Sequence, residues 1–353
     1  SFGLPPAEQR IGLSAHDFSQ LLAAPEVFLT RSRKVDGTPT VPTRWLSRIK
    51  AVLRASGQVP GLEVPDDWAC WQVLLDRPDS FSPIEPPAPR PPVSVRPKKL
   101  SVTQIETLMR DPYGIYARHI IGLKKLEPLE ADPGASQNGI IVHAVLDRYI
   151  SHCANNKPTD ELATLIRIGK EVFDQNTLRP SVKAFWWPRF CRIAEWFVEF
   201  ERKRRSKVSQ SLTERCGSIR LQTKYGSFEL TARVDRIDQL VDGKLEIIDY
   251  KTGGIPSRGQ VEIGLAPQLP LEAVITNQGG FEGLDGVRAP SVSALSHWKL
   301  TGGDPAGIVQ TFETNVEMLA EEALAGVQAL VEKFNDPSTP YSAIPVESRK
   351  PRH

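Results

Sequence analysis

Two short stretches carry residue types suited to phosphate chemistry: Val234-Asp235-Arg236-Ile237-Asp238 and, close behind it, Ile247-Ile248-Asp249-Tyr250-Lys251-Thr252-Gly253. Each sets a carboxylate in an apolar run, and the second ends in Asp-x-Lys. Burying such charges beside Ile and Val costs several kcal/mol unless they are paired or hold a metal. Hydrolysis of a phosphodiester needs a nucleophilic water, neutralised charge on the phosphorus centre and a stabilised leaving oxygen. A divalent ion such as Mg²⁺, held by one or two carboxylates, serves all three because it keeps positions open for water and phosphate. Side chains two apart on a strand share a face, so Asp249 and Lys251 point the same way. On neighbouring antiparallel strands Asp235 and Asp249 would converge on one ion, with Lys251 touching the attacking water or a phosphate oxygen. The Ile248 carbonyl is expected as a backbone ligand. The bland alternative is an Asp/Lys surface pair on a strand, with Asp238 and Asp242 as ordinary turn residues.

Three further polar residues support the metal reading. His143 sits in Gly139-Ile-Ile-Val-His143-Ala-Val-Leu146. Alone on an apolar helical face it reads as a packed core residue; beside carboxylates, its imidazole completes a metal shell. Gly139 would let that helix start close to the sheet. Gln268 and Glu272 stand at i and i+4, on one helical face.

Positioning these residues needs a particular order of elements. A capping box at Ser101-Val-Thr-Gln104 opens a helix through about residue 108. Helical periodicity follows over 139–153, 160–176 and 190–205. From Gly217 the period becomes alternating, and three strands are expected over 218–225, 228–240 and 244–251. Tyr225-Gly226-Ser227 and Val241-Asp242-Gly243 turn between them. A helix over 266–277, a strand over 291–300 and a long helix over 313–334 complete the pattern. The fold class is α/β, a mixed sheet flanked by helices with an α-β-β-β-α-β core. The helical link from the third strand to the fourth implies a parallel crossover.

Upstream, residues 1–80 read as a small α/β unit with a strand over 26–31. Seven prolines crowd 82–99, which predicts an extended linker over 81–100 ahead of a main domain at 101–353.

At 353 residues, 40% hydrophobic and 24% charged, the chain has an ordinary globular composition. No apolar run reaches the roughly 18 residues of a membrane span. Cys70, Cys153, Cys191 and Cys216 are scattered, which excludes a zinc ribbon and suits a reducing cytoplasm. A net charge of +2 leaves nucleic-acid binding to local patches. Arg202-Lys203-Arg204-Arg205 and Trp186-Trp187 offer a single strand charge and stacking, or else form a solvated helix end and core aromatics.

Taken together, these motifs resemble the RecB-like branch of the PD-(D/E)XK nucleases over roughly residues 101–334. Gly139-x-x-x-His143, Asp235, Asp249-Tyr-Lys-Thr-Gly253 and Gln268-Leu-Pro-Leu-x-Ala273 fall in the family's order. The resemblance implies a restriction-endonuclease-like fold, metal ligation by His143, Asp235 and Asp249, a catalytic Lys251 and an accessory Gln268. It implies Mg²⁺, with Mn²⁺ as a substitute. More narrowly, Ile11-Gly-Leu-Ser-Ala-His-Asp-Phe18 and Val27-Phe-Leu-Thr-Arg-Ser-Arg33 resemble the C-terminal part of the AddB family. That likeness implies the tail of a helicase-like domain over 1–80, an AddA-like partner subunit, single-stranded or unwound DNA as substrate, and a bacterial cytoplasm near the nucleoid. No Gly-x-x-x-x-Gly-Lys-Ser/Thr segment is present for ATP hydrolysis. Asp111-Pro112-Tyr113 stands where iron–sulfur members of the branch carry Cys, and no cysteine follows Cys216, so no cluster is expected. An inactive scaffold on this fold and an RNA-processing nuclease are the alternatives.

Overall fold

The computed structural model of the protein describes residues 7–58, 85–126, 134–156, 158–176, 179–284 and 290–343, with a few positions between 70 and 80. It divides into two compact units, Ser1–Ile84 and Glu85–His353. In the first, helices α1 (Ala7–Leu22) and α2 (Arg44–Ala55) flank a hairpin of β1 (Lys34–Val35) and β2 (Thr38–Pro39). The hairpin turns at Asp36 and Gly37, both with positive φ, the conformation an Asp-Gly turn supplies. Residues 26–31, expected as a strand, lie outside any ladder.

The second unit opens with β3 (Lys99–Ser101) and α3 (Val102–Arg110). The Ser101 hydroxyl accepts from the Gln104 N–H while the Gln104 side chain accepts from the Ser101 N–H, the reciprocal cap its sequence called for. Helices α4 (Ala135–Asn155), α5 (Glu161–Gln175) and α6 (Pro180–Arg204) lead into the meander β4 (Val208–Thr223), β5 (Gly226–Leu240) and β6 (Leu245–Lys251). Helix α7 (Gln268–Asn277) crosses to β7 (Val292–Leu300), which runs parallel to β6; β8 (Gly307–Phe312) then pairs antiparallel with β7, and α8 (Val316–Asn335) follows.

This is the expected mixed sheet, extended by β3 and β8, which sequence periodicity did not reveal. β3 is only three residues long, too short to show a period. Helices α3, α7 and α8 cover one face through Ile105, Leu271 and Leu319, packed in one core with Leu230, Ile247 and Leu295. Helices α4, α5 and α6 cover the other through Val145, Leu165 and Phe197, in a second core with Ile248, Tyr250 and Trp298. A strand buried on both faces needs consecutive apolar residues, which is why Ile247 and Ile248 adjoin. Among the described residues no helix is long and apolar enough to cross a membrane.

Two irregularities prepare the site. β4 pairs with β5 along its whole length, so β3 and β6 share the other edge of β5, end to end. β3 pairs as far as Thr231 and β6 from Arg236 onward, which leaves residues 232–235 of that edge open. The second irregularity is a change of face. Phe228, Leu230, Ala232 and Val234 of β5 join the first core, and so does Ile237, an odd step away. On β4, Ile219 and Leu221 face that core and then Leu212 does. Both strands therefore invert at one rung, where Glu214 stands opposite Asp235, between the pairs Thr213–Arg236 and Arg215–Val234. Glu214 takes φ 51° there, an uncommon conformation for a residue with a Cβ.

The proline-rich segment is not a free linker over its described length. Residues 81–84 lie outside the described residues, and from Glu85 the chain belongs to the second unit. Arg96 is buried and donates to the carbonyls of Pro91, Phe334, Asp336 and Pro337. The N–H groups of Tyr341 and Ala343 donate to the carbonyls of Pro89 and Pro87. Proline density forbids helix but leaves carbonyls free to accept, so residues 87–96 lie against the chain beyond α8.

Candidate active site

Asp249, on β6, is 3% exposed and its carboxylate is fully engaged. Lys251 Nζ and Gln268 Nε2 lie 2.6 and 2.8 Å from Oδ1, and His297 Nδ1 lies 3.1 Å from Oδ2. Burial pushes the Asp249 pKa up, but Lys251 and His297 outweigh it and hold the pKa at about 2. Lys251 shows the converse balance: burial disfavours its charge, the neighbouring Asp249 more than restores it, and its pKa is raised. Gln268 also accepts from Lys251 at 3.3 Å, so its amide bridges the pair.

Asp235 lies one rung beyond the Arg236–Ile248 pair, opposite Asp249. Its Oδ2 accepts from the Tyr250 N–H at 2.7 Å, and its Oδ1 is 3.2 Å from His143 Nδ1 on α4. Burial lowers the His143 pKa, but Asp235, Asp249 and Glu214 raise it further, for a net upward shift. Glu214 is pushed up by burial and by Asp235, against Arg233 and His143. A His143 nitrogen and one carboxylate oxygen each from Glu214 and Asp235 lie within 4.8 Å of one another. Donors about 2.0–2.2 Å from a shared ion lie roughly 3–4 Å apart, so small adjustments let these three hold one divalent cation.

The structure thus brings His143 and Asp235 together, and Asp249, Lys251 and Gln268 together, on adjoining parts of one site. Asp249 is not within the 4.8 Å group, and both of its oxygens meet protein partners. The Ile248 carbonyl does not fit its expected role: Ile248 sits inside the ladder, paired to Arg236 on one side and Ser296 on the other. Ladder carbonyls are already committed. Beyond the β5–β6 ladder on this side comes the backbone of Tyr250, whose N–H donates to Asp235. Gly139 is explained by proximity, since a Cβ there would lie 3.1 Å from Thr252 Oγ1, just past Lys251.

Sequence reasoning missed Glu214 and His297. The parity break between Val234 and Ile237 in β5 was the readable signal for Glu214. For His297 it was a polar residue inside the apolar run Ala294-Leu295-Ser296-His297-Trp298. Glu106, on α3, was also missed: it pairs with Arg110 at 2.9 Å, and burial raises its pKa while Lys251 and Asp249 act on it from across the site. No sequence pattern marks it.

Glu272 is 1% exposed. Its Oε1 accepts from Gln268 at 3.1 Å, and its Oε2 has no hydrogen-bond partner among the described residues. Burial and the charge of Asp249 raise its pKa well above the carboxylate range. The folded state therefore binds a proton that the unfolded chain releases above pH of about 4.3. That stabilisation is complete below this value and is lost as pH rises, by about 1.4 kcal/mol per unit until the folded pKa is passed. Glu272→Gln keeps the shape without the proton. In EDTA it is expected to match wild type near pH 4 and to melt higher at pH 8; equal melting temperatures at pH 8 would contradict a neutral Glu272.

The basic run at the end of α6 is ion-paired, with Arg204 largely buried and Arg202, Lys203 and Arg205 largely exposed. Arg202 and Arg205 both pair with Glu161, Lys203 with Glu199, and Arg204 with Asp238 and Glu246. Trp186 and Trp187 pack on the second core, Trp187 edge-on to Phe173 at 5.3 Å.

Comparison with known proteins adds a family and several relatives. The profile described as PD-(D/E)XK nuclease superfamily matches residues 99–347. An uncharacterized protein of Rickettsia felis is 30% identical over 273 residues, covering 75% of this chain and 31% of its own length. One of Rickettsia bellii is 27% identical over 337 residues, covering 91% of this chain and 39% of its own length. An ATP-dependent helicase/deoxyribonuclease subunit of Streptococcus pyogenes serotype M1 is 25% identical over 187 residues, covering 49% of this chain and 16% of that protein. This chain spans about a third of the length of the Rickettsia relatives it matches.

Proposed function

The chain belongs to the PD-(D/E)XK nuclease superfamily, and from that premise we propose that its site hydrolyses phosphodiester bonds of single-stranded DNA. A divalent cation, Mg²⁺ or Mn²⁺, would be held by His143, Glu214 and Asp235, with Asp249 joining them by turning an oxygen away from its protein partners. The observation that carries this reading is the meeting of His143, Glu214 and Asp235 at one point beside the Asp249–Lys251 pair. Such an ion lowers the pKa of bound water and neutralises charge on the phosphate. The protein's own contributions follow from the contacts. His297 and Gln268 hold the Asp249 carboxylate in one orientation, and Gln268 keeps Lys251 beside it. The Lys251 ammonium is one-third exposed, where it supports charge building on the phosphate and orients the attacking water. The Tyr250 N–H, on β6, fixes the Asp235 carboxylate at the open edge of β5.

Likeness to a helicase/deoxyribonuclease subunit favours DNA over RNA and a place in a larger repair machine. In that setting the first unit is the end of a helicase-like domain, residues 101–353 are the nuclease domain, an AddA-like subunit is the partner, and the bacterial cytoplasm is the compartment. The test is cleavage of matched 5′-labelled DNA and RNA single strands by the purified chain. The DNA strand is expected to be cut in Mg²⁺ or Mn²⁺ and to remain whole in EDTA, with RNA cut at least about tenfold more slowly. Cleavage that survives EDTA would remove the metal, and equal cutting of RNA would remove the DNA preference.

A further inference from the structure

Arg233 is unused by the site as described. It lies in the stretch of β5 that neither β3 nor β6 covers, two residues before Asp235. Its Nε is 2.7 Å from Glu214 Oε2, and among the described residues the guanidinium makes no other ion pair or hydrogen bond. The two partners differ sharply: the Arg233 side chain is 67% exposed and that of Glu214 only 18%.

An ordinary surface ion pair joins two solvated side chains and contributes little. Here the carboxylate is an inner one, set by a positive-φ backbone and grouped with His143 and Asp235. The guanidinium is therefore tethered through its Nε to the carboxylate grouped with His143 and Asp235, on a side chain that is two-thirds exposed. Two other cations nearby already face carboxylates, Lys251 with Asp249 and Lys99 with Glu229. Arg233 also lines an open groove of about 500 Å³ with Ser218 and Thr231, where Lys99 and Arg233 are the cations and Glu229 and Glu282 the carboxylates. With a net charge of only +2, the protein has little long-range field to hold a polyanion, so grip on a strand must come from local donors of this kind.

The geometry points to Arg233 as the residue that grips a substrate phosphate next to the one attacked, held in place by Glu214. A guanidinium fork suits this role because it presents two parallel donors to phosphate oxygens. The assignment rests on the nuclease reading for where the strand lies, but its test reads binding rather than cleavage.

The experiment measures fluorescein-labelled (dT)20 binding to the full chain by anisotropy, with Ca²⁺ in place of Mg²⁺, from 20 to 200 mM salt (about the range over which such slopes are read). Arg233→Ala is expected to weaken binding about tenfold at low salt and to reduce the log–log salt slope by about 0.7, the signature of one lost phosphate contact on a single strand. Arg233→Lys is expected to keep the slope and recover only part of the affinity. Mn²⁺ affinity of Arg233→Ala, read from the electron paramagnetic resonance of free Mn²⁺, is expected to stay within about twofold of wild type. Unchanged (dT)20 affinity and slope would overturn the assignment. A matching fall in Mn²⁺ affinity would also overturn it, by reducing Arg233 to a buttress for Glu214. A wild-type chain that cleaves nothing yet shows the Arg233-dependent slope would sink the nuclease reading and keep Arg233 as a phosphate contact of a binding protein.

Discussion

Replacing Asp249 by asparagine is expected to lower single-strand cleavage at least about a thousandfold while the chain still folds. Asp249 is buried, and its pKa of about 2 keeps it anionic at every working pH. Asparagine retains the shape, but its amide offers one acceptor where Lys251, Gln268 and His297 now share two anionic oxygens. The loss falls on both proposed functions of the residue, metal ligation and the placing of Lys251. Stability should also fall, by an amount on the order of 2 kcal/mol at neutral pH, since a depressed pKa is stabilisation present above the unfolded value of about 3.9 and lost as pH falls toward 2. Melting should remain cooperative, which separates lost chemistry from lost fold. Turnover within about tenfold of wild type in Mg²⁺ or Mn²⁺ would remove Asp249 from the reaction.

The largest effect on stability alone is expected at Arg236, one residue past Asp235 and 1% exposed. Its Nε meets Asp238 Oδ1 at 2.6 Å, its Nη1 meets Glu201 and the Tyr250 hydroxyl, and its Nη2 meets Glu201 and Ser211. Arg204 closes the network onto Asp238 and Glu246, and both guanidinium groups lie over the Trp298 ring. Removing one partner of such a network leaves buried charge uncompensated, so Arg236→Ala should cost about 3–5 kcal/mol in urea denaturation. Arg202→Ala, which breaks a pair whose arginine is largely exposed, should cost under about 1 kcal/mol. A loss below about 1 kcal/mol at Arg236 would mean that the network contributes nothing net.

These contrasts show what could be read before the fold was known. Asp235, Asp249, Lys251 and His143 announced themselves because a charge inside an apolar period is improbable without a purpose, and each stands in or beside the site. Ser101 and Gln104 announced a helix start because the cap is built from neighbours in sequence. What escaped notice depends on partners far along the chain. Glu214 gains meaning only from Asp235 across the ladder, and His297 only from Asp249 on the parallel strand. The Arg202–Arg205 run reads equally as a solvated helix end or a nucleic-acid patch until its pairs with Glu161, Glu199, Asp238 and Glu246 are known. Ile248 was expected to supply a carbonyl because its side-chain position was considered and its ladder bonds were not. The prolines of residues 82–99 argued against helix, and the described part holds one short 3-10 turn at Val93–Val95, yet they could not show that their carbonyls would be met by Tyr341 and Ala343.

That last contact has an architectural consequence. The chain enters the second unit and leaves helix α8 at the same spot, stitched there by Arg96 and by two backbone bonds. A body whose doorway and exit coincide is portable. It could be spliced into a loop of another protein, or circularly permuted by joining its ends and opening a surface turn elsewhere, without disturbing the carboxylates at its centre.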